Sequence, residues 1–508
     1  MPTPSIRYPN LFLFLIITIY LGIGTLYALL TPPWQIPDEP AHYNYVRFVA
    51  ENLRYPVLQM GDYPHEYLEE IKAKGFPLEM SIDPIRYEFH QPPLYYSLAA
   101  PFYWLTRFWV PAQQVIALRF LSLLMGGGIV YLAYLIAREV FPTNEVLALG
   151  TAAFVVGVPM HIAMLAAVNN DGLVELMLAG ILWMLVRYIK EEVKRKEGTK
   201  RGIPWRLVGL GVLVGLGILA KTAALVSIPL VLVAVVLATG PRPSAILYRL
   251  SAIGYQLFAI FLPALFLTLP WFVRNVAVYG GLDILGWTRH DAIVVGQLRT
   301  ADGLAQYGAA RLAKDFLLTT FRSFWAQFGW MGVLVDERIY LLLALLCVIV
   351  SLGFLVYLAR MIQKRDTLSA YEKAALGLLA LSAFLTLLSY LWYNCKFVQH
   401  QGRYLFPALV PLGLFFALGL REILAKEKAK VIAGLCLLAL LVLAAKGLLT
   451  SDLNNKWSMA LLGGTALAFG LKTLSPERYD HLVFALPYLG LFALDTICLF
   501  GFIVPYFR

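Results

Sequence analysis

The sequence predicts an all-α polytopic membrane protein, with about thirteen transmembrane helices and a long first outer loop that contains amphipathic interfacial helices. Three observations predict it. The 508 residues are 60% hydrophobic and only 14% charged, and their mean hydropathy of +0.70 is too high for one water-soluble core; ordinary soluble domains carry about 45–50% apolar and about 25% charged residues. Apolar runs that can cross a hydrocarbon layer of about 30 Å recur from one end of the chain to the other. Finally, the formal charge of +11 comes from Lys and Arg scattered between those runs. That is the mark of topology, not of a nucleic-acid-binding patch.

The expected spans run from Leu11 to Leu30, Val115 to Ala137, Val146 to Ala167, Leu173 to Tyr188, Leu207 to Ala220, Thr222 to Ala238 and Ser251 to Phe272. After a polar interval they continue from Ile339 to Ala359, Ala374 to Tyr393, Tyr404 to Leu420, Val431 to Ala445, Trp457 to Leu471 and Leu482 to Val504. The fifth, eleventh and twelfth are short. Alternate loops collect the cations, chiefly Arg187, Lys190, Lys194, Arg195, Lys196, Lys200, Arg201 and Arg206, then Arg360, Lys364, Arg365, Lys373, Arg421, Lys426, Lys428 and Lys430. These loops are expected on the cytoplasmic side of the plasma (inner) membrane, with the N-terminus, and they account for the whole excess of positive charge. No small-residue cleavage site follows the first run, so it reads as a retained span. Three of the four cysteines, Cys347, Cys436 and Cys498, lie in apolar runs, which excludes a disulfide framework.

On the outer side two intervals are long, about residues 31–114 and 273–338. The chain therefore divides into an N-terminal transmembrane module (1–272) carrying the first loop, the second loop (273–338) and a C-terminal transmembrane module (339–508). Within the first loop two helices are expected. One runs from Pro40 to Leu53 with Asp38 or Glu39 as its N-cap, and one runs from Pro92 to Phe108 behind a Pro-Pro start. Aromatic amphipathic helices of this kind lie along a membrane surface.

Three groups of residues are candidates for chemistry. In Pro37-Asp38-Glu39-Pro40-Ala41-His42, two adjacent carboxylates and a histidine one turn later could hold a general base or a metal, although acidic helix caps look the same. In Phe89-His90-Gln91-Pro92-Pro93-Leu94-Tyr95-Tyr96, the proline pair fixes the direction in which His90 and Gln91 leave the chain; the alternative is a hydrogen-bonded surface histidine. The third group lies at outer helix ends: Lys221, Arg274, Asn170-Asp171, and His400 to Arg403. Lys and Arg in such places usually snorkel to head groups. Because the positive-inside bias works against cations in short outer loops, those retained there invite an anionic partner such as a phosphate.

At these residues the sequence resembles the GT-C superfamily of integral-membrane glycosyltransferases, which includes the protein O-mannosyltransferases and the lipid A aminoarabinose transferases. The resemblance rests on Asp38-Glu39 just past the first span, on His90-Gln91-Pro92-Pro93-Leu94-Tyr95-Tyr96, and on Gly402-Arg403-Tyr404 with Pro407 at the start of a late span. It implies a GT-C-like fold, a polyprenyl-phosphate sugar as donor, inversion at the anomeric carbon, and Asp38 as catalytic base with Glu39 beside it. Arg403, Arg274 and Lys221 would meet the donor phosphate, and His42, His90, Gln91, Asn170, Asp171 and His400 the sugar or the acceptor. In the mannosyltransferases Gly-Lys follows Pro-Pro-Leu. Here Tyr95-Tyr96 stands in its place, which leaves the phosphate ligand open. The second loop is also too short for their sugar-binding β-trefoil, so a glycan or lipid acceptor is expected and not a protein.

No cofactor is called for. A divalent metal on Asp38, Glu39 and His42 could be held, yet nothing else in the sequence completes a ligand set. The partners expected are the lipid-linked donor, the acceptor and the bilayer, with no nucleic acid and the oligomeric state left open. A transporter or lipid flippase is the rival reading. Such proteins place ionisable residues at mid-membrane and are often built from repeats, whereas here Asp495 is the one acid clearly inside a span and no repeat is visible.

Overall fold

The computed structural model describes residues 8–194, 205–239, 246–363, 368–450 and 455–508. Arg195, Lys196, Lys200, Arg201, Lys364 and Arg365 lie outside the described residues. Helix α1 (Pro9–Leu30) leads into the first long loop, which holds α2 (Glu39–Asn52), α3 (His65–Ala73), a 3-10 turn at Tyr87–His90 and α4 (Leu94–Leu105). There follow α5 (Pro111–Val140), α6 (Glu145–Val156), α7 (Pro159–Leu165), α8 (Asp171–Lys194), α9 (Trp205–Ala220), α10 (Ser227–Thr239, extending a 3-10 turn at Thr222–Val226) and α11 (Ile246–Tyr279). The second long loop contains α12 (Trp287–Ile293), α13 (Thr300–Tyr307), α14 (Ala309–Trp325) and a two-residue antiparallel pair, Gln327–Phe328 with Val333–Leu334. The chain closes with α15 (Glu337–Ile362), α16 (Ala370–Asn394), a 3-10 turn at Gly402–Ala408, α17 (Leu409–Ile423), α18 (Lys426–Thr450), α19 (Lys456–Leu474) and α20 (Asp480–Cys498).

All thirteen predicted apolar runs are helical, but the count of crossings is lower than expected. Among the described residues ten segments are long and apolar enough to span a membrane, or eleven if the pair α6–α7 is one span. That pair bends by 67° where Pro159 follows Gly157 and Val158, and α9, with 16 residues, is about 24 Å long, short of a full crossing. Helix α19, with Gly463-Gly464 at its middle and Lys472 in its last turn, is not among the ten. Near α5 the packing tightens around a glycine run. A Cβ on Gly126 would fall 1.8 Å from the Tyr20 hydroxyl of α1, so only glycine admits that tyrosine, whose hydroxyl donates to Leu123 O. One continuous buried core reaches from Leu13 to Ile503.

The first loop is bolted to this bundle by ion pairing and by backbone hydrogen bonds. Glu39 and Arg119, the latter one-third along α5, are both 0% exposed and form a two-armed pair: Nε to Oε1 at 2.8 Å and Nη2 to Oε2 at 2.6 Å. Each partner is satisfied beyond the other. Arg119 donates to Ala28 O, Thr31 O and Pro32 O, and Glu39 accepts from the backbone N–H of Trp34 and Val168. A buried pair of this kind adds little net stability but fixes geometry, and losing one partner strands a charge at a cost of about 3–5 kcal/mol. From the other side, Arg289 Nε donates to Leu58 O, the Leu58 N–H donates to the Tyr279 hydroxyl, and Trp330 Nε1 donates to Trp34 O. Glu39→Ala is therefore expected to lower the thermal unfolding midpoint and the yield of folded protein in detergent, read by intrinsic tryptophan fluorescence. A variant with wild-type midpoint and yield would remove the pair from the scaffold.

Candidate active site

Asp38 occupies the position before α2, where an acidic cap was expected, yet its side chain caps nothing. Its backbone is left-handed, with φ 67° and ψ −8°, a conformation that Asp tolerates better than most residues. As a result the carboxylates of Asp38 and Glu39 diverge. Asp38 Oδ1 accepts from the Tyr87 hydroxyl at 2.8 Å and Oδ2 from Arg403 Nη2 at 2.6 Å. Arg403 is steered in turn by Gln401, whose Oε1 accepts from Nε at 2.7 Å, and rests against Met164 of α7. The turn that carries Arg403 lies close on α14: Gly402 N–H donates to Ser323 Oγ, and a Cβ on Gly402 would sit 2.3 Å from the Phe324 nitrogen.

A second ion pair stands beside the first. Lys221, between α9 and α10, donates to Asp171 Oδ1 at the start of α8 over 2.5 Å. Asn170 is fully buried; its amide nitrogen donates to Ala220 O and reaches Gln91 Oε1 at 3.4 Å. One turn further along α8, Glu175 bonds His161 Nε2 at 2.8 Å. His42 shares a 2.8 Å hydrogen bond with the Tyr96 hydroxyl and stacks on that ring, which itself stacks on Tyr45 at 3.5 Å. Asp38, Gln91, His42, Asn170, Asp171, Lys221 and Arg403 are thus gathered at one end of the bundle, with His90 in the same layer, held by Tyr87 O and lying 4.3 Å from the His290 ring.

Three expectations are placed differently. Glu39 faces Arg119 and not the space beside Asp38. Arg274 is tied to Pro56 O, Asn275 Oδ1 and the Tyr279 hydroxyl and stacks over Trp271, so it fastens the first loop to α11. His400 meets the edge of Phe316 on α14 and makes no contact with the Asp38–Arg403 pair. The metal set considered above does not converge either: Asp38 turns to Arg403, Glu39 to Arg119 and His42 to Tyr96. Among the described residues no three His, Cys, Asp or Glu side chains are grouped to hold one ion. Tyr87, Glu88, Arg119 and Glu175 were not singled out from sequence. The first two adjoin the noted Phe89-His90 segment, and the other two are charges within apolar runs.

The electrostatics separate the titratable groups. Burial would raise the Asp38 carboxyl, but Arg403, His42 and the Tyr87 hydrogen bond outweigh it and hold it at about 2. Glu88 goes the other way, pushed up by burial and by the Asp38 charge against the pull of His42 and Lys221. Burial lowers the proton affinity of the histidines: His42 falls below the ordinary imidazole value, His90 to about 4 and His290 well below its ordinary value. The centre therefore presents two ionised carboxylates, Asp38 and Asp171, beside two fixed cations and imidazoles of lowered proton affinity, an arrangement suited to taking a proton from a hydroxyl while neutralising an anionic leaving group.

The class defined by this fold is that of an integral membrane protein with a polar centre under a long loop, built as in the GT-C glycosyltransferases. Residues 90–271 match the family model for dolichyl-phosphate-mannose-protein mannosyltransferase. Two solved structures share the fold. ArnT from Cupriavidus metallidurans, bound to undecaprenyl phosphate, is 16% identical over 96% of this chain and 76% of its own, with a TM-score of 0.53. The apo oligosaccharyltransferase of Archaeoglobus fulgidus is 14% identical over 95% of this chain and 56% of its own, with a TM-score of 0.50. No curated protein matches the chain by sequence. The solved structures give the chain the fold of the GT-C glycosyltransferases, and the family match covers its residues 90–271.

The lowered histidines carry a pH dependence. Across about pH 4 to 6.5 the unfolded His90 binds a proton that the folded one does not, so stability rises with pH through that window and is lost on acidification, by at most about 3 kcal/mol. Asp38 adds a further loss, but only between about pH 4 and about 2. The first loop is accordingly expected to open to protease more readily at pH 5 than at pH 7.5. His90→Gln, neutral at both, should flatten that difference; an unchanged slope in the variant would exclude His90 as its source.

Proposed function

We propose that this chain is a glycosyltransferase that moves a sugar from a polyprenyl phosphate carrier to a glycan or lipid acceptor on the extracytoplasmic side of the plasma (inner) membrane, with inversion at the anomeric carbon. The observation that carries the reading is the 2.6 Å contact between Asp38 and Arg403. It sets a candidate base against a candidate phosphate ligand from opposite ends of the chain, with Lys221 close by. ArnT was crystallised with undecaprenyl phosphate, which supports a carrier of this class here.

In the proposed reaction the donor phosphate takes over the Arg403 guanidinium and draws on Lys221. Asp38, released from its cation, regains proton affinity toward the ordinary carboxylate value of about 3.9. It then accepts the proton of the acceptor hydroxyl as the oxygen forms its bond to the anomeric carbon. The bond from that carbon to the phosphate oxygen breaks on the opposite face. Polyprenyl phosphate leaves with the electron pair, its charge met by Arg403 and Lys221. Glu39 has no part in the proton transfer; through Arg119 it fixes the backbone from which Asp38 projects.

Asp38→Asn keeps the shape of the side chain and removes the base. Transfer, followed as release of polyprenyl phosphate from labelled lipid-linked sugar in proteoliposomes, should fall by about 10²–10⁴-fold. Full activity of a normally expressed variant would exclude Asp38 as base. Relocation of intact lipid-linked sugar by the wild-type protein, with no cleavage, would instead establish the flippase reading.

A further inference from the structure

Within the polar centre two hydrogen-bond acceptors have no donor. Glu88 Oε2 and Asn170 Oδ1 are both buried atoms without a hydrogen-bonding partner. Asn170 itself is 0% exposed, and its amide orientation is set because the nitrogen must face Ala220 O. Gln91 joins the two: Asn170 Nδ2 reaches its Oε1 at 3.4 Å, and its side-chain amide lies against Glu88. Buried acceptors are ordinarily paired, and leaving one unpaired costs about 1–3 kcal/mol. Two together, on the two sides of one residue at a substrate centre, call for a ligand that brings donors.

The chemistry of that ligand follows from what the acceptors refuse. An ionised phosphate has only acceptor oxygens, and the Glu88 carboxylate repels it; an isoprenoid chain has no donors. Sugar hydroxyls supply both. The surroundings agree. Glu88 stands on the Tyr87–His90 turn, whose Tyr87 holds Asp38, so a sugar seated there lies beside the base. The charged and titratable groups in electrostatic reach of Glu88 are Asp38, His42 and Lys221, with Tyr87, Tyr96 and Tyr393 around it. The formal count is three acids, Asp38, Glu88 and Asp171, against the two cations Lys221 and Arg403. The surplus acid is Glu88, the one without a cationic partner.

The geometry points to a sugar subsite in which Glu88 Oε2 and Asn170 Oδ1 accept hydrogen bonds from hydroxyls of the transferred sugar. Arg403 and Lys221 then form the phosphate end of the same centre. The inference rests on the reading of the chain as a polyprenyl-phosphate-dependent transferase and assigns Glu88 a binding role within it. A carboxylate shared between hydroxyls also explains why an acid that faces no cation directly is retained there: charge-assisted bonds to a neutral polyol are roughly twice as strong as neutral ones.

The test compares two lipids on the full-length protein in nanodiscs: bare undecaprenyl phosphate, and the best-bound member of a panel of undecaprenyl-phosphate hexose, N-acetylhexosamine and pentose. Glu88→Gln preserves size and replaces the acceptor pair by an amide. It should weaken the sugar-carrying lipid about tenfold or more and leave bare undecaprenyl phosphate within about twofold of wild type; binding of the bare lipid also certifies the fold of the variant. Equal weakening of both lipids would make Glu88 structural, and no change in either would leave it outside the site, so either result overturns the inference. If the wild type binds undecaprenyl phosphate and no panel member binds more tightly, the sugar subsite fails while the phosphate site stands. If the wild type binds none of these lipids, the proposed function itself fails.

Discussion

The site depends on two neighbouring carboxylates that cannot face the same way. At Asp38 the chain turns through a left-handed conformation, and the peptide that follows sends Glu39 inward to Arg119 while Asp38 is left at the surface of the core. Glu39 is spent on structure: its oxygens take the guanidinium and two backbone N–H groups. Asp38 takes only Tyr87 and Arg403, both from segments that reach it through the loops. A pair that reads as one acidic motif is thus an anchor and a candidate base. The anchor sets the candidate base to within the geometry of a two-armed ion pair, which a single hydrogen-bonded cap could not do.

The centre is then assembled from helix ends and not from helix faces. Asp171 opens α8, Lys221 closes α9, and Arg403 lies on the turn before α17. Helix ends bring unsatisfied backbone groups and polar side chains to one level, while the apolar bodies below remain packed. The bend between α6 and α7 serves the same purpose. It carries Met164 to Arg403 and Val168 N–H to Glu39, which a straight span would have passed at a distance. The departure from the predicted number of crossings is therefore part of how the site is made.

Much of this was legible in the sequence, for identifiable reasons. Periodicity and length locate the apolar helices because a membrane span must satisfy its own backbone, and the polar intervals between them locate the two long loops. Asp38, His90, Gln91, Asn170, Asp171, Lys221 and Arg403 stood out because polar residues at outer helix ends are few. Arg119 and Glu175 did not, because a charge in an apolar run ordinarily snorkels, and only the fold reveals a counter-charge waiting. Arg274 was overvalued for the converse reason: an outer cation next to Pro270-Trp271 invites a phosphate until Pro56 O is seen to occupy it. Which of two adjacent carboxylates faces the polar centre is decided by a single backbone dihedral, and no pattern of residue types encodes that.

A count of charges makes the division of labour physical. Over the whole chain the excess is positive, but within the centre acids outnumber cations, and each cation is already paired with an acid. A purely anionic ligand entering such a site must displace a carboxylate from each cation it uses, and the released carboxylates must find hydrogen-bond donors or protons. A ligand that is anionic at one end and rich in hydroxyls at the other meets both requirements at once, because its hydroxyls serve the carboxylates that its phosphate displaces. The low charge density of the surrounding helices strengthens this coupling, since little water or salt is at hand to screen it. The resting ion pairs are therefore a template for a bipolar substrate, and an anion without the second end binds them more weakly.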